Sequence, residues 1–394
     1  MGATRTIRRA AALAACLALL GACRANAKRT EKKLPSPPLG ALDPAVPGAV
    51  TAEGSPSPSP HPSRTPVPRP SAVVQTLSSL REQRLQIRAP TVQRQMLSFG
   101  AQRLLQASPS KATFRDSKQG QVITEASIGA VRAVAHGPDG SLFAIGGARG
   151  ALLEPRAKAL KYFPHVAFLP DSELLPDLEG PNHFYVYYPV DAELCFYPFK
   201  SESSIMPIDA RFHLDGCSEP IVQLRDGAIV CRTANGFLRQ APRGSRAEFA
   251  YSLAEEPVRL LPGMRLDEFF AVTRAGEVLH LRLAERLQLV ARFSLPMAVY
   301  AAAANTEALA FILVSDPQAG KSRHWSLWVT DLEGQTRFQS ELPESPASAE
   351  DDWAANVVED KNLAISGFEP LVAVGGEKVV SVWDYGERRA LFTR

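Results

Sequence analysis

The 394-residue sequence predicts an all-β protein: a β-propeller of seven blades, with six as the alternative, behind a disordered proline-rich linker. Three observations predict it. Short apolar runs are punctuated by Asp139-Gly140, Asp215-Gly216, Asp226-Gly227, Asn235-Gly236, Ala275-Gly276 and Glu333-Gly334, where glycine or asparagine supplies positive φ at low cost. Long helical periodicity is hard to find beyond residue 88. The strand-turn-strand unit also recurs at a nearly constant step.

That step is read from strand centres at Ala144, Val186, Cys231, Ala271, Ile312 and Ala373, which lie 42, 45, 40, 41 and 61 residues apart. The long last step holds Glu341 to Asp352, a polar segment that reads as a loop. Leu104 lies 40 residues before Ala144 and marks a seventh copy. Each unit has the size of one four-stranded blade. A blade cannot bury both faces alone, and a ring of blades solves that problem. The competing fold is a β-sandwich with coincident spacing. In a propeller, Ala144, Cys231, Ala271 and Ala373 should occupy equivalent buried positions between sheets.

At the N-terminus, Arg5, Arg8 and Arg9 precede an apolar run, Ala10 to Leu20. Eleven helical residues at ~1.5 Å each cannot cross a ~30 Å hydrocarbon core, so the run suits a signal peptide. It ends in Leu20-Gly21-Ala22-Cys23, which resembles the lipobox of bacterial lipoproteins. The resemblance implies cleavage after residue 22, lipidation of Cys23, and attachment to a membrane. Arg24 follows the cysteine where an aspartate would imply retention at the inner membrane, so the resemblance implies the outer membrane, on its periplasmic or surface face. The alternative is a secreted or periplasmic protein cut after Ala25-Asn26-Ala27.

Residues 1–22 are thus read as a lipoprotein signal peptide, 23–72 as a lipid-anchored Pro/Ser-rich linker, and 73–394 as the propeller domain. Twelve of the 32 prolines fall between Pro35 and Pro70, a density that neither helix nor sheet tolerates. In polyproline II at ~3.1 Å per residue such a segment is a spacer. Val73, Leu77, Leu80 and Ile87 recur at helical spacing and predict a short helix, interrupted at Arg84.

Within the domain, the run from Val131 to Gly147, with His136-Gly137-Pro138-Asp139-Gly140 at its centre, resembles part of a WD40 repeat. Ala373 to Asp384, closing in Trp383-Asp384, resembles one too. The resemblance covers these two stretches and implies a degenerate WD40-like or quinoprotein-like propeller that binds partners through its faces. It implies no chemistry.

Of five cysteines, Cys16 leaves with the signal peptide and Cys23 is the lipidation site. Cys195, Cys217 and Cys231 remain, so one bridge at most can form between them. Strict hairpin register about Asp226-Gly227 places Cys217 opposite Gly236, too far from Cys231 to bridge unless the chain bends.

No catalytic motif is visible. Ser315 to Ser322 ends in Gly-Lys-Ser, but Ser315 stands where a P-loop has its first glycine, and a predicted strand, Trp325 to Thr330, follows where a helix is required. The segment reads as a hairpin loop. Histidines 61, 136, 165, 183, 213, 280 and 324 show no metal-ligand spacing, and Glu350-Asp351-Asp352 reads as a solvated loop. Phe184 to Tyr188 reads as blade packing, with a carbohydrate-stacking surface as the sharper alternative. Net charge is +3, but the first 72 residues hold ten basic and three acidic groups, so the remainder is net acidic. That excludes a nucleic-acid partner of the basic-footprint kind. The expected function is a membrane-anchored, non-catalytic scaffold binding proteins or cell-envelope components, without a cofactor. A propeller enzyme acting on glycans or lactones is the alternative.

Overall fold

The computed structural model describes residues 95–394, apart from 167, 169–171, 179–182, 190, 200–209, 242–243, 316–322, 347–360 and 377. The signal peptide, Cys23, the proline-rich linker, the short helix, most of the Ser315–Ser322 loop and Glu350-Asp351-Asp352 therefore lie outside the described residues. What is described is a seven-bladed β-propeller. Seven antiparallel sheets of four strands follow one another along the chain, at 96–126, 131–163, 173–213, 218–250, 257–294, 298–341 and 363–393. The first strand of each blade lies innermost, since these strands neighbour one another around the axis.

All seven strand centres read from the sequence fall on the second strand of a blade, Leu104 included. These strands are apolar on both faces because each is covered on both sides by a neighbouring blade, as in Leu142–Gly146 and Leu309–Val314, which are buried throughout. The six punctuating glycines have positive φ, from 78° at Gly216 to 149° at Gly236. Two of them show why: Gly140 and Gly227 close inner hairpins in which Asp139 and Asp226 each accept a hydrogen bond from the amide two residues on, at 3.0 Å.

Ala144, Cys231, Ala271 and Ala373 are all buried between sheets. Their equivalence is only partial. Ala144, Cys231 and Ala271 face the preceding blade, whereas Ala373 faces blade 1, the next one around the ring. The cause is the spacing from the inner hairpin turn. The turns close on the carbonyls of Ser141, Ala228, Glu268 and Leu371; Ala144, Cys231 and Ala271 lie three residues beyond the closing residue, whereas Ala373 lies two beyond Leu371. That one-residue difference in phase reverses the face a side chain takes. Leu142-Phe143-Ala144-Ile145 and Leu371-Val372-Ala373-Val374 thus match in sequence and point opposite ways.

The cysteine register is a correction. Cys217 and Cys231 form a disulfide, their Cα atoms 5.6 Å apart. Glu219-Pro220 forms a bulge: Ile221 pairs Cys231 and Ser218 pairs the adjacent Arg232, so two residues on one strand have no partner on the other. The bulge bends Cys217 back into reach. Cys195 is a buried free thiol. The aromatic run in blade 3 is packing, not a stacking surface: Tyr185 and Tyr187 face blade 4, while Phe184, Val186 and Tyr188 face blade 2.

Candidate functional site: the two mouths of the ring

Because the innermost strands share one axial sense, the ring has two distinct mouths. At the entry mouth, where blades are linked and the chain arrives at Gln95, the first strands of blades 3, 4 and 5 bring Glu173, Glu219 and Arg259 together. Arg259 Nη1 lies 3.8 Å from Glu173 Oε1, joining blade 5 to blade 3. Tyr187, at the upper end of blade 3's second strand, senses both carboxylates. Burial first, then the negative charge of Glu219 and Glu173, pushes its phenol up to about 12. Its hydroxyl is buried without a hydrogen-bond partner. The phenol is therefore neutral at physiological pH. Beside it Arg232 pairs with Glu256, and the Cys217–Cys231 bridge ties blade 4's first two strands.

At the opposite, turn mouth, the inner hairpins of the blades converge. They are cross-linked from blade to blade. Ala101 N–H bonds Gly140 O at 3.1 Å, Arg225 Nε–H bonds Gly263 O at 2.7 Å, and Asn305 Nδ2–H bonds Ser366 O at 2.7 Å. Under blade 5's turn Glu268, 3% exposed, receives two hydrogen bonds from Arg282 and lies 3.2 Å from His280. Burial pushes its carboxyl pKa up, but Arg282 and His280 together outweigh that and hold it below the usual range. His136 closes blade 2's inner strand with Nδ1 3.2 Å from Ser98 Oγ. Desolvation by the surrounding protein lowers its pKa, although the residue as a whole stays exposed.

These anchored turns carry large exposed apolar groups. Met264 is 56% and Leu266 58% exposed on blade 5's turn, and Phe368 is 45% exposed on blade 7's. Phe368 leans across blade 1, so that a Cβ added at Gly140 would lie 3.1 Å from its ring. Apolar side chains held out on cross-linked turns form a rim suited to a partner surface. Sequence reading missed this rim. Met264-Arg265-Leu266 lies in a turn, and only placement beside the axis distinguishes it from any surface loop.

Among the described residues no group of three or more His, Cys, Asp or Glu is placed to hold a metal ion. Ser315 and His324 join as the ends of a hairpin between Leu309–Val314 and Trp325–Thr330, so strand follows the Gly-Lys-Ser loop as the sequence predicted.

A seven-bladed β-propeller is the class this architecture defines. No family model and no curated protein matches the chain. Among solved structures it is similar to the β-propeller domain of Cps50 (Swd1) from Myceliophteria thermophila, at 12% identity and a TM-score of 0.51, covering 75% of this chain and 97% of that one. Hsv2 from Kluyveromyces lactis is 10% identical with a TM-score of 0.46, over 76% of this chain and 99% of that one. A putative 6-phosphogluconolactonase from Bacteroides uniformis is 11% identical with a TM-score of 0.47, over 69% and 86%. The first likeness is one of fold; the other two are too distant to carry an argument.

Proposed function

We propose that this chain is a lipid-anchored, non-catalytic scaffold of the bacterial cell envelope whose propeller docks a protein or envelope component at the turn mouth. The observation that carries the docking is the rim of Met264, Leu266 and Phe368 on turns tied to their neighbours by Arg225 and Asn305. The anchor rests on Leu20-Gly21-Ala22-Cys23, and the outer membrane on Arg24 after it. Rigid turns lower the ordering cost of binding, so few exposed side chains suffice for recognition.

Photo-crosslinking in intact cells tests the docking. A crosslinking residue at 266 should capture a discrete adduct, and one at 289 on blade 5's outer strand should not. Met264→Glu with Leu266→Glu should abolish the adduct. Adducts from 289 alone, or none from the rim, would overturn the reading. The anchor is tested separately: Cys23→Ser should eliminate palmitate labelling. Persistent labelling would refute it.

The second reading, a propeller enzyme acting on glycans or lactones, draws on the entry mouth. There Glu173, Glu219 and Arg259 converge beside a neutral phenol. It predicts turnover of a lactone or glycan panel that Glu219→Gln removes.

A further inference from the structure

We propose that the ring opens and recloses at the seam between blades 7 and 1, and that Glu369 is the latch that holds it shut. Six seams are crossed by the chain itself, where the last strand of one blade continues into the first of the next. The seventh is not. Among the described residues, blade 1 and blade 7 are each complete in four consecutive strands, and no strand from either joins the other's sheet. Parting this seam stretches no peptide link, whereas parting any other leaves two blades still tied together.

What holds the seam is modest. Its buried cluster is Leu97, Phe99 and Leu104 from blade 1 against Ala364, Leu371, Ala373, Val380 and Val382 from blade 7. Among the described residues one backbone hydrogen bond crosses it, Leu97 N–H to Lys361 O at 2.7 Å. Leu391 and Phe392 of blade 7 pack partly buried against this cluster, and a polar tie comes from Glu369, on the inner turn of blade 7. Its Oε2 accepts from Ser117 Oγ–H at 2.8 Å, and its Oε1 pairs with Lys118 Nζ at 3.0 Å, both on blade 1. One short side chain therefore grips two consecutive residues across the gap. The contacts are local and small, and no strand pairing has to break for them to part. Such a region opens sub-globally, below the free energy of full unfolding.

The test uses the full chain with Ala373→Cys or Ala271→Cys. Both positions lie on second strands and both are fully buried, but Ala373 faces the closing seam and Ala271 the seam between blades 4 and 5. Under native conditions a water-soluble thiol reagent should label the cysteine at 373 about tenfold or more faster than the one at 271, with the unsubstituted chain as the blank for Cys195. Adding Glu369→Ala should raise the rate at 373 by about threefold and leave 271 unchanged. Equal rates at the two sites, or equal acceleration of both by Glu369→Ala, would mean global unfolding and overturn the proposal. Native-state hydrogen exchange reads the same opening without a cysteine, should either variant fail to fold. The Leu97 amide should exchange ahead of the Val299 amide, which bonds Arg274 O across the seam between blades 5 and 6. Equal protection of the two amides would overturn it as well.

Discussion

Between blades 6 and 7, Tyr300, Trp325, Phe338, Trp383 and Tyr385 meet in one buried cluster, and Asn305 adds hydrogen bonds to Ser366 O and Tyr385 Oη. Between blades 7 and 1, Phe99 is the one fully buried aromatic, with Phe392 partly buried against the cluster, and the rest are Leu, Val and Ala. The same blade supplies one wall of each seam. Trp383 and Val372 look one way along it, Leu371 and Val382 the other. The difference teaches that a repeat specifies strands and turns but leaves seam strength to the particular side chains and to whether the chain crosses. Blade 7 is firmly held on one face and lightly on the other.

The largest expected effect tests that contrast within blade 7. Trp383→Ala should cost about 3–5 kcal/mol and Leu371→Ala about 2–3, read from denaturant midpoints at constant m. Equal or reversed costs would break the comparison.

Next in size is the seam between blades 3 and 4, where Cys231 packs beside Tyr185 and Tyr187. The Cys217–Cys231 bridge spans a sequence separation of 14. Cys217→Ser should lose about 3 kcal/mol by the chain-entropy argument. A thermal midpoint unchanged from that of the oxidised wild type would refute the bridge's contribution.

The pH dependence sharpens the comparison in a polar seam. Phe270 and Val272 of blade 5 pack against blade 6, and Glu268 lies at the start of the same strand. Its folded pKa lies below its unfolded value, because Arg282 and His280 outweigh burial. The stability it contributes is therefore complete above the ordinary carboxylate range, about 4.3, and is lost as pH falls through the lower, folded pKa. Glu268→Gln should be destabilised at pH 7 and converge on wild type toward about pH 2. A constant gap across that range would show the carboxylate charge to be irrelevant.

The smallest effect is Tyr187→Phe. It removes a buried hydroxyl without a partner, so stability should hold or rise by up to about 1 kcal/mol. A clear loss would reveal a hydrogen bond at the entry mouth.

Sequence alone reached the blade count, the second strand of every blade and the glycines of the turns. These depend on local alternation, on apolar runs covered from both sides, and on φ values that few residues adopt. Leu104, Ala144 and Ala373 carry that information within a few residues of themselves. The tertiary structure decided the rest. Which neighbour Ala373 faces hangs on its lying two residues, not three, beyond the residue that closes its inner turn, and whether Cys217 reaches Cys231 hangs on the bulge at Glu219-Pro220. The rim of Met264, Leu266 and Phe368, the entry-mouth group around Tyr187 and the Glu369 latch join residues from different blades. A side chain's partner across a seam is fixed by register and by ring closure, and a one-residue shift reverses a whole strand. Nothing in the local pattern of a repeat records either.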